Sequence, residues 1–367
     1  MSWKAKPLKT LSFVKRWHHH TQSGGYDRLA KYTDTAIFQT KEIPFIKAKE
    51  RGFSKKFLQW LIPSSRYSNH YHFKDALAER KLMKLVKARS IDLIHAFYAE
   101  DQLNKLLSSR EKLKAALVGT MHLPAESQFI QKLQRAEMLE RYAKLDAIIT
   151  LSTDSVKQIK FDTGNPNVFF VPHGIDTQIF KPNDDKFEMK NSAFKILTVG
   201  RHGRDWETYI EVVNKIKEIS PEISFTAVVP EKISKKLKQK TDIETISSIS
   251  ESMLIELYRD TNLVYIPLTY ATANNSILES LACGTPVIST NTGGIPDYVD
   301  KECGWLVPRY DVRETTELIM GLSRDQNVIR IASEAARNHS LQFDWLNVAD
   351  QIHEIYHVAW INWKSKS

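Results

Sequence analysis

The sequence predicts an α/β protein with two doubly wound parallel sheets, and three observations carry that expectation. Short β-rich apolar runs alternate with longer helical ones along the chain, the pattern of βαβ units whose crossover helices return each strand parallel to the last. At 367 residues the chain exceeds one ordinary core, so two domains are expected. A polar, charged stretch at 183–191 separates two such series, as an exposed connection does.

The first domain is expected over residues 1–175. Its candidate strands are 11–14, 91–97, 116–121, 147–151 and 168–171, and its clearest helices are 73–88, 102–114 and 127–144. Residues 171–182, punctuated by Pro172, Gly174 and Pro182, read as a crossing segment. The second domain, 176–344, has candidate strands at 194–199, 223–229, 263–267, 286–289 and 304–307, with helices at 206–219, 252–261, 276–283 and 312–322. The tail, 345–367, carries Trp345, Val348, Ile352, Ile355, Tyr356, Ala359, Trp360 and Trp363 at near-helical spacing, and is expected to pack on the core. Open α/β sheets bind ligands beyond the carboxyl ends of their strands, which places the expected site in a cleft between the two domains.

Apolar residues make up 42% of the chain and charged residues 26%, which excludes a disordered polymer. No apolar run approaches the ~20 residues that span a bilayer. Residues 11–14 are too short for a signal-peptide core, so cytoplasmic residence is expected. Cys283 and Cys303 cannot form a disulfide framework and read as small buried residues. The net charge of +9 divides into +14 over residues 1–175 and −5 over the remainder. No nucleic-acid motif accompanies the basic half. An anionic membrane surface or an anionic acceptor fits it better, and 47–67, with Lys49, Arg51, Lys55 and Lys56 among Phe53, Phe57, Trp60 and Leu61, reads equally as an interfacial helix or a core-facing one. His18-His19-His20 is not a metal site, because adjacent histidines on extended chain point to opposite faces and no Cys or acid stands at zinc-like spacing.

The most informative run is 274–294. Asn275 and Ser276 can cap a helix, Glu279 lies one turn inside it, Gly284 and Pro286 end it, and a strand closes on Gly293-Gly294. A helix N-terminus at a sheet edge with one acid near its mouth suits a phosphate-bearing nucleotide. From spacing alone, Ser276-x-x-Glu279 is also a capping box that satisfies a backbone N–H.

This run resembles the signature of retaining GT-B glycosyltransferases of family 4. The resemblance implies that Glu279 holds the ribose of a sugar nucleotide. The family has two glutamates separated by seven residues, and the earlier position here is Ala271. Thr272, Asn274 and Asn275 stand in that loop, where neutral side chains can hold sugar hydroxyls. Val199-Gly200-Arg201 resembles the family's diphosphate loop, with Arg201 on the diphosphate. The family's following lysine is absent, and Arg204 either takes its part or forms a surface pair with Asp205. Gly24-Gly25 matches the glycine loop after the first strand, near the donor. His122 matches a histidine at a first-domain strand end beside the transferred sugar, and His95 is placed on the acceptor side.

The resemblance therefore implies a metal-independent retaining hexosyltransferase with no cofactor. Its co-substrate would be a UDP- or GDP-sugar and its acceptor a glycan or lipid-linked group, in polysaccharide or glycoconjugate biosynthesis, with peripheral membrane residence open. His122 and Arg201 are the expected catalytic residues. Ala271 leaves an alternative: an inactive GT-B homologue serving as a partner subunit or membrane-associated binding protein.

Overall fold

The computed structural model describes residues 8–15, 23–33, 36–39, 73–122, 139–187 and 193–366. The chain divides into two compact units. One comprises Met1–His20, Gly25–Val171 and Val348–Ser367, the other Thr21–Gly24 and Pro172–Asn347.

The first unit is built on a parallel sheet of six strands: β1 (Thr10–Val14), β2 (Ala36–Gln39), β3 (Leu93–Ala96), β4 (Ala116–Met121), β5 (Ala147–Thr150) and β6 (Val168–Phe170), in the order β2-β1-β3-β4-β5-β6. Every residue of β3, β4 and β5 is buried, as in a sheet covered on both faces, and this is why these strands read as largely apolar runs, interrupted only by His95, Thr120 and Thr150. Helix α1 (Phe73–Arg89) forms as expected. The expected helix at 102–114 does not. It is broken into single turns at Ala99–Gln102, Lys105–Ser108 and Arg110–Lys112. The Glu79 carboxylate accepts the amides of Asn104, Lys105 and Leu106 at 2.8–3.0 Å, which caps a new turn where a continuous helix would run. Of the expected helix at 127–144, residues 127–138 lie outside the described residues, as do 47–67 and His18-His19-His20. Helix α2 (Thr153–Thr163) starts on the Ser152 cap and stops at left-handed Gly164.

The second unit carries β7 (Lys195–Val199), β8 (Ser224–Val228), β9 (Glu244–Ile246), β10 (Leu263–Ile266), β11 (Val287–Thr290) and β12 (Gly304–Val307), all parallel, in the order β12-β11-β10-β7-β8-β9. Its helices are α3 (Trp206–Ile219), α4 (Glu231–Lys240), α5 (Glu251–Asp260), α6 (Asn275–Ala282), α7 (Val312–Arg324) and α8 (Gln326–Ser340). Asp205, Ser250, Asn274, Asp311 and Asp325 each cap the helix that follows by accepting a first-turn amide, worth about 1 kcal/mol apiece.

The terminal helix α9 (Trp345–Lys366) buries Val348, Ile352, Ile355, Tyr356 and Ala359, and Val348–Ser367 belongs to the first unit. The Asn362 amide there donates to the Asp146 carbonyl at 3.0 Å. Among the described residues, no helix is long and apolar enough to cross a membrane.

Candidate functional site

In each sheet the strand order reverses at one point, and the chemistry-bearing residues gather at the carboxyl ends there. In the second unit the reversal lies between β7 and β10. The loops after these strands are joined: the Asp205 amide donates to the Pro267 carbonyl at 3.0 Å and the Thr269 amide to the Gly203 carbonyl at 2.8 Å. That junction brings Arg204 to the start of α6.

Arg204 is not a surface partner of Asp205, whose carboxylate caps α3 through the Thr208 amide at 3.2 Å. Its Nε donates to the Val199 carbonyl and Nη1 to the His202 carbonyl, both at 3.0 Å, and Nη2 reaches Ser276 Oγ at 3.3 Å. Gly200 makes room for this. Its φ is +103°, and a Cβ there would lie 2.6 Å from Arg204 Nη2. Burial lowers the Arg204 pKa to about 10, opposed by Tyr258 and Glu279. Arg201 is exposed, its Nε 2.6 Å from His202 Nε2.

The expected capping box does not form. The cap of α6 is Asn274, whose Oδ1 accepts from the Ile277 amide at 3.3 Å. Asn274 has extended backbone (φ −141°, ψ 112°) while Asn275 and Ser276 are already helical, so Asn274 alone has the cap conformation. Released from capping, Glu279 turns inward and accepts from the Tyr258 hydroxyl at 3.0 Å. Glu279 is only 6% exposed. Burial pushes its pKa up to about 7; the Tyr258 hydrogen bond opposes that shift, the Glu251 carboxylate adds to it and Arg204 opposes it. Ser276 also hydrogen-bonds Tyr258. Arg204, Ser276, Tyr258 and Glu279 thus form one polar cluster under the start of α6. Tyr258 was not expected from sequence: it is 21 residues from Glu279, and no local pattern connects them.

Thr272 is buried and Asn275 half-buried in the preceding loop. The Ala271 carbonyl accepts from the Gly294 amide at 2.9 Å. Gly293, at φ +53°, packs so closely that a Cβ would lie 2.3 Å from that carbonyl oxygen. The glycine turn after β11 therefore holds the Ala271 loop in place.

In the first unit the reversal lies between β1 and β3. His122 follows β4. Its ring stacks on Tyr98 with centroids 4.2 Å apart and meets the Tyr26 ring edge-on at 4.9 Å. Its Nε2 lies 2.7 Å from the Phe97 carbonyl, which can only accept, so Nε2 carries a proton. Glu100 accepts the His122 amide. Gly25, at φ +100°, opens a 3-10 helix at Tyr26–Lys31. Gly24 is grouped with the second unit, in which the adjoining Ser23 amide donates to Glu251 at 2.8 Å.

His95 departs from its expected place on the acceptor side. It is fully buried on β3, with Nδ1 2.9 Å from the Tyr356 hydroxyl and Nε2 2.7 Å from Thr120 Oγ1. Both ring nitrogens are used internally, because β3 is an interior strand of a sheet covered on both faces and all four of its residues are buried. Burial lowers its pKa to about 3.

Among the described residues one group of potential metal ligands occurs: Asp300, Cys303 and His339. His339 Nδ1 lies 2.9 Å from Asp300. Cys303 packs in the apolar core with its thiol pushed up to about 12 by burial, and its amide donates to Asp300 at 2.9 Å, so the group reads as a hydrogen-bonded turn.

Two parallel doubly wound units of this kind define the GT-B class of glycosyltransferases. The family model "Glycosyltransferase Family 4" matches residues 50–179 and "Glycosyl transferases group 1" matches residues 193–325, together more than half the chain. The chain belongs to the family 4 glycosyltransferases. An MMP alpha-(1->4)-mannosyltransferase of Mycolicibacterium hassiacum is 25% identical over 241 residues, covering 61% of this chain and 57% of that protein. A D-inositol 3-phosphate glycosyltransferase of Saccharomonospora viridis is 33% identical over 107 residues, 29% of this chain and 25% of that protein. The chain thus spans about half or less of the length of these curated relatives. Among solved structures, a sucrose-phosphate synthase from Thermosynechococcus elongatus aligns at a TM-score of 0.71 with 17% identity, covering 95% of this chain and 98% of that one. Anabaena HepE in complex with UDP-glucose aligns at 0.69 with 15% identity, covering 95% and 99%.

Proposed function

We propose that this protein is a retaining glycosyltransferase moving a hexose from a UDP- or GDP-sugar to a glycan or lipid-linked acceptor. The observation that carries the proposal is the buried Glu279 carboxylate at the start of α6, which accepts from Tyr258 and, among the described residues, has Arg204 near it but no cation hydrogen-bonded to it. A carboxylate held at such a cost finds its partners in the two ribose hydroxyls, which donate to it. Arg201, exposed after β7, and Arg204 offset the diphosphate charge as the leaving group forms. Thr272, Asn274, Asn275 and Ser276 complete the donor site.

The nucleotide is thereby assigned to the second domain, 176–344. The acceptor is assigned to the first, 1–175, with the terminal helix 345–367. Gly24-Gly25 and His122 face the reacting sugar. The acceptor hydroxyl attacks the face from which the diphosphate leaves, and the leaving phosphate takes the proton. No protein nucleophile or metal enters this scheme. The +14 charge of residues 1–175 supports peripheral attachment to an anionic, acceptor-bearing membrane at its cytoplasmic face.

Ala271 favours a second reading, an inactive homologue that supports a partner enzyme. Transfer or hydrolysis of a sugar nucleotide by the purified protein, lost in Glu279→Gln and Arg201→Ala, supports the enzyme. Nucleotide binding without any turnover supports the inactive homologue.

A further inference from the structure

His95, displaced from the acceptor side, sits at the centre of a buried hydrogen-bonded chain. The Tyr356 hydroxyl on α9 meets His95 Nδ1 at 2.9 Å, His95 Nε2 meets Thr120 Oγ1 at 2.7 Å, and Thr120 Oγ1 meets the Tyr26 hydroxyl at 3.3 Å. His95 and Thr120 are 0% exposed, Tyr26 0% and Tyr356 2%. Tyr26 directly follows Gly25, and its ring edge carries the His122 ring at 4.9 Å. A neutral imidazole has one N–H and one lone pair. It can therefore donate at one end of this chain while accepting at the other, which neither a cation nor an apolar ring can do.

We propose that His95 is a positioning residue: through Thr120 it anchors the Tyr26 hydroxyl, and so fixes one of the two rings that seat His122, the other being Tyr98, and the backbone turn at Gly25. The proposal rests on the reading that His122 and Gly25 face the reacting sugar. A simple core-filling role for His95 would leave the hydroxyls of Thr120 and Tyr26 without consequence for His122. In the chain described here, the terminal helix reaches the His122 ring through four side chains. Networks of this kind act as a unit, so removing one internal hydroxyl affects the far end.

The test uses the full-length protein and the variants Thr120→Val, Thr120→Ser and Tyr26→Phe. Imidazole 1H–15N spectra report on the linkage without any need for turnover. Thr120→Val and Tyr26→Phe are expected to shift the His122 ring resonances, while Thr120→Ser, which restores the hydroxyl, returns them to the wild-type positions. Steady-state kinetics then report on function: kcat should fall between ~10- and ~100-fold in Thr120→Val, the scale of a small misplacement of a reacting group, with donor KM within about twofold of wild type, a change too small to matter in free energy. Thr120→Ser should recover kcat. Unchanged His122 resonances in Thr120→Val would overturn the proposal even if the protein is an active transferase. Shifted resonances with no turnover in any variant, wild type included, would uphold the linkage and remove the enzyme reading instead.

Discussion

The Tyr258 hydroxyl donates to Glu279 Oε2 across 3.0 Å, and both residues are buried. This hydrogen bond orients the one acid that the sequence places at the start of α6. It leaves the carboxylate desolvated, with consequences for stability and for ligand binding.

The first consequence concerns pH. The folded-state pKa of Glu279 is raised to about 7 from 4.5. Between these values the folded protein binds more protons than the unfolded chain, so its stability falls as pH rises. The contribution is fully present below the unfolded value and is lost through about pH 7, amounting to roughly 3 kcal/mol at most. Urea unfolding at pH 5 and pH 8 should show Glu279→Gln gaining on wild type at the higher pH. An equal difference at both values would count against the buried acid.

Nucleotide affinity should carry the opposite pH dependence. Ribose hydroxyls donating to Glu279 stabilise its charged form, so binding releases a proton below about pH 7. UDP should bind more tightly at pH 8 than at pH 6 in wild type, by calorimetry, and this dependence should flatten in Glu279→Gln.

Asn274 can be tested separately as a cap. Removing its side-chain acceptor in Asn274→Ala leaves the Ile277 amide without its 3.3 Å partner and should cost about 1 kcal/mol in chemical denaturation. Asn274→Asp keeps the acceptor and should keep the stability. If Asn274→Asp retains stability yet loses sugar-nucleotide affinity, the residue both caps the helix and holds the sugar.

His122→Ala should lower transfer at least ~10-fold, the lower range for a positioned polar group in the transition state, and leave nucleotide affinity unchanged, because His122 belongs to the first unit. A parallel loss of nucleotide affinity, measured by calorimetry, would contradict this division of labour.

Gly200→Ala should unseat Arg204. A Cβ at φ +103° would press on Nη2 from 2.6 Å, and the guanidinium would have to leave the Val199 carbonyl. Diphosphate affinity and thermal stability should both fall, whereas Gly321→Ala, where a Cβ meets nothing within 4 Å, should change neither.

The buried strands were legible because a parallel sheet covered on both faces favours mainly apolar runs, as in Ala116–Met121 and Leu263–Ile266. Edge elements were not. Strand β9 (Glu244–Ile246) has no fully buried residue, and α4 (Glu231–Lys240) buries only Ser234 and Leu237 among its lysines; tertiary context, not pattern, fixes both. Among the candidate site residues, Arg201, Arg204 and Glu279 could be singled out through the family resemblance of their local runs. The inward turn of His95 and the contact of Tyr258 with Glu279 could not, since both depend on contacts between segments far apart in the chain.

The central claim, that Glu279 and Arg201 hold the donor nucleotide, is tested most directly by thermal shift across a panel of UDP-, GDP- and ADP-sugars with wild type, Glu279→Gln and Arg201→Ala. One base is expected to raise the Tm of wild type, since a ligand at about 100 times its Kd adds about 2.7 kcal/mol to the folded state, and both variants should need at least ~10-fold more ligand for the same shift, the loss of one good hydrogen bond to a charged group. A wild type that no sugar nucleotide stabilises, or variants that respond as wild type does, would contradict it.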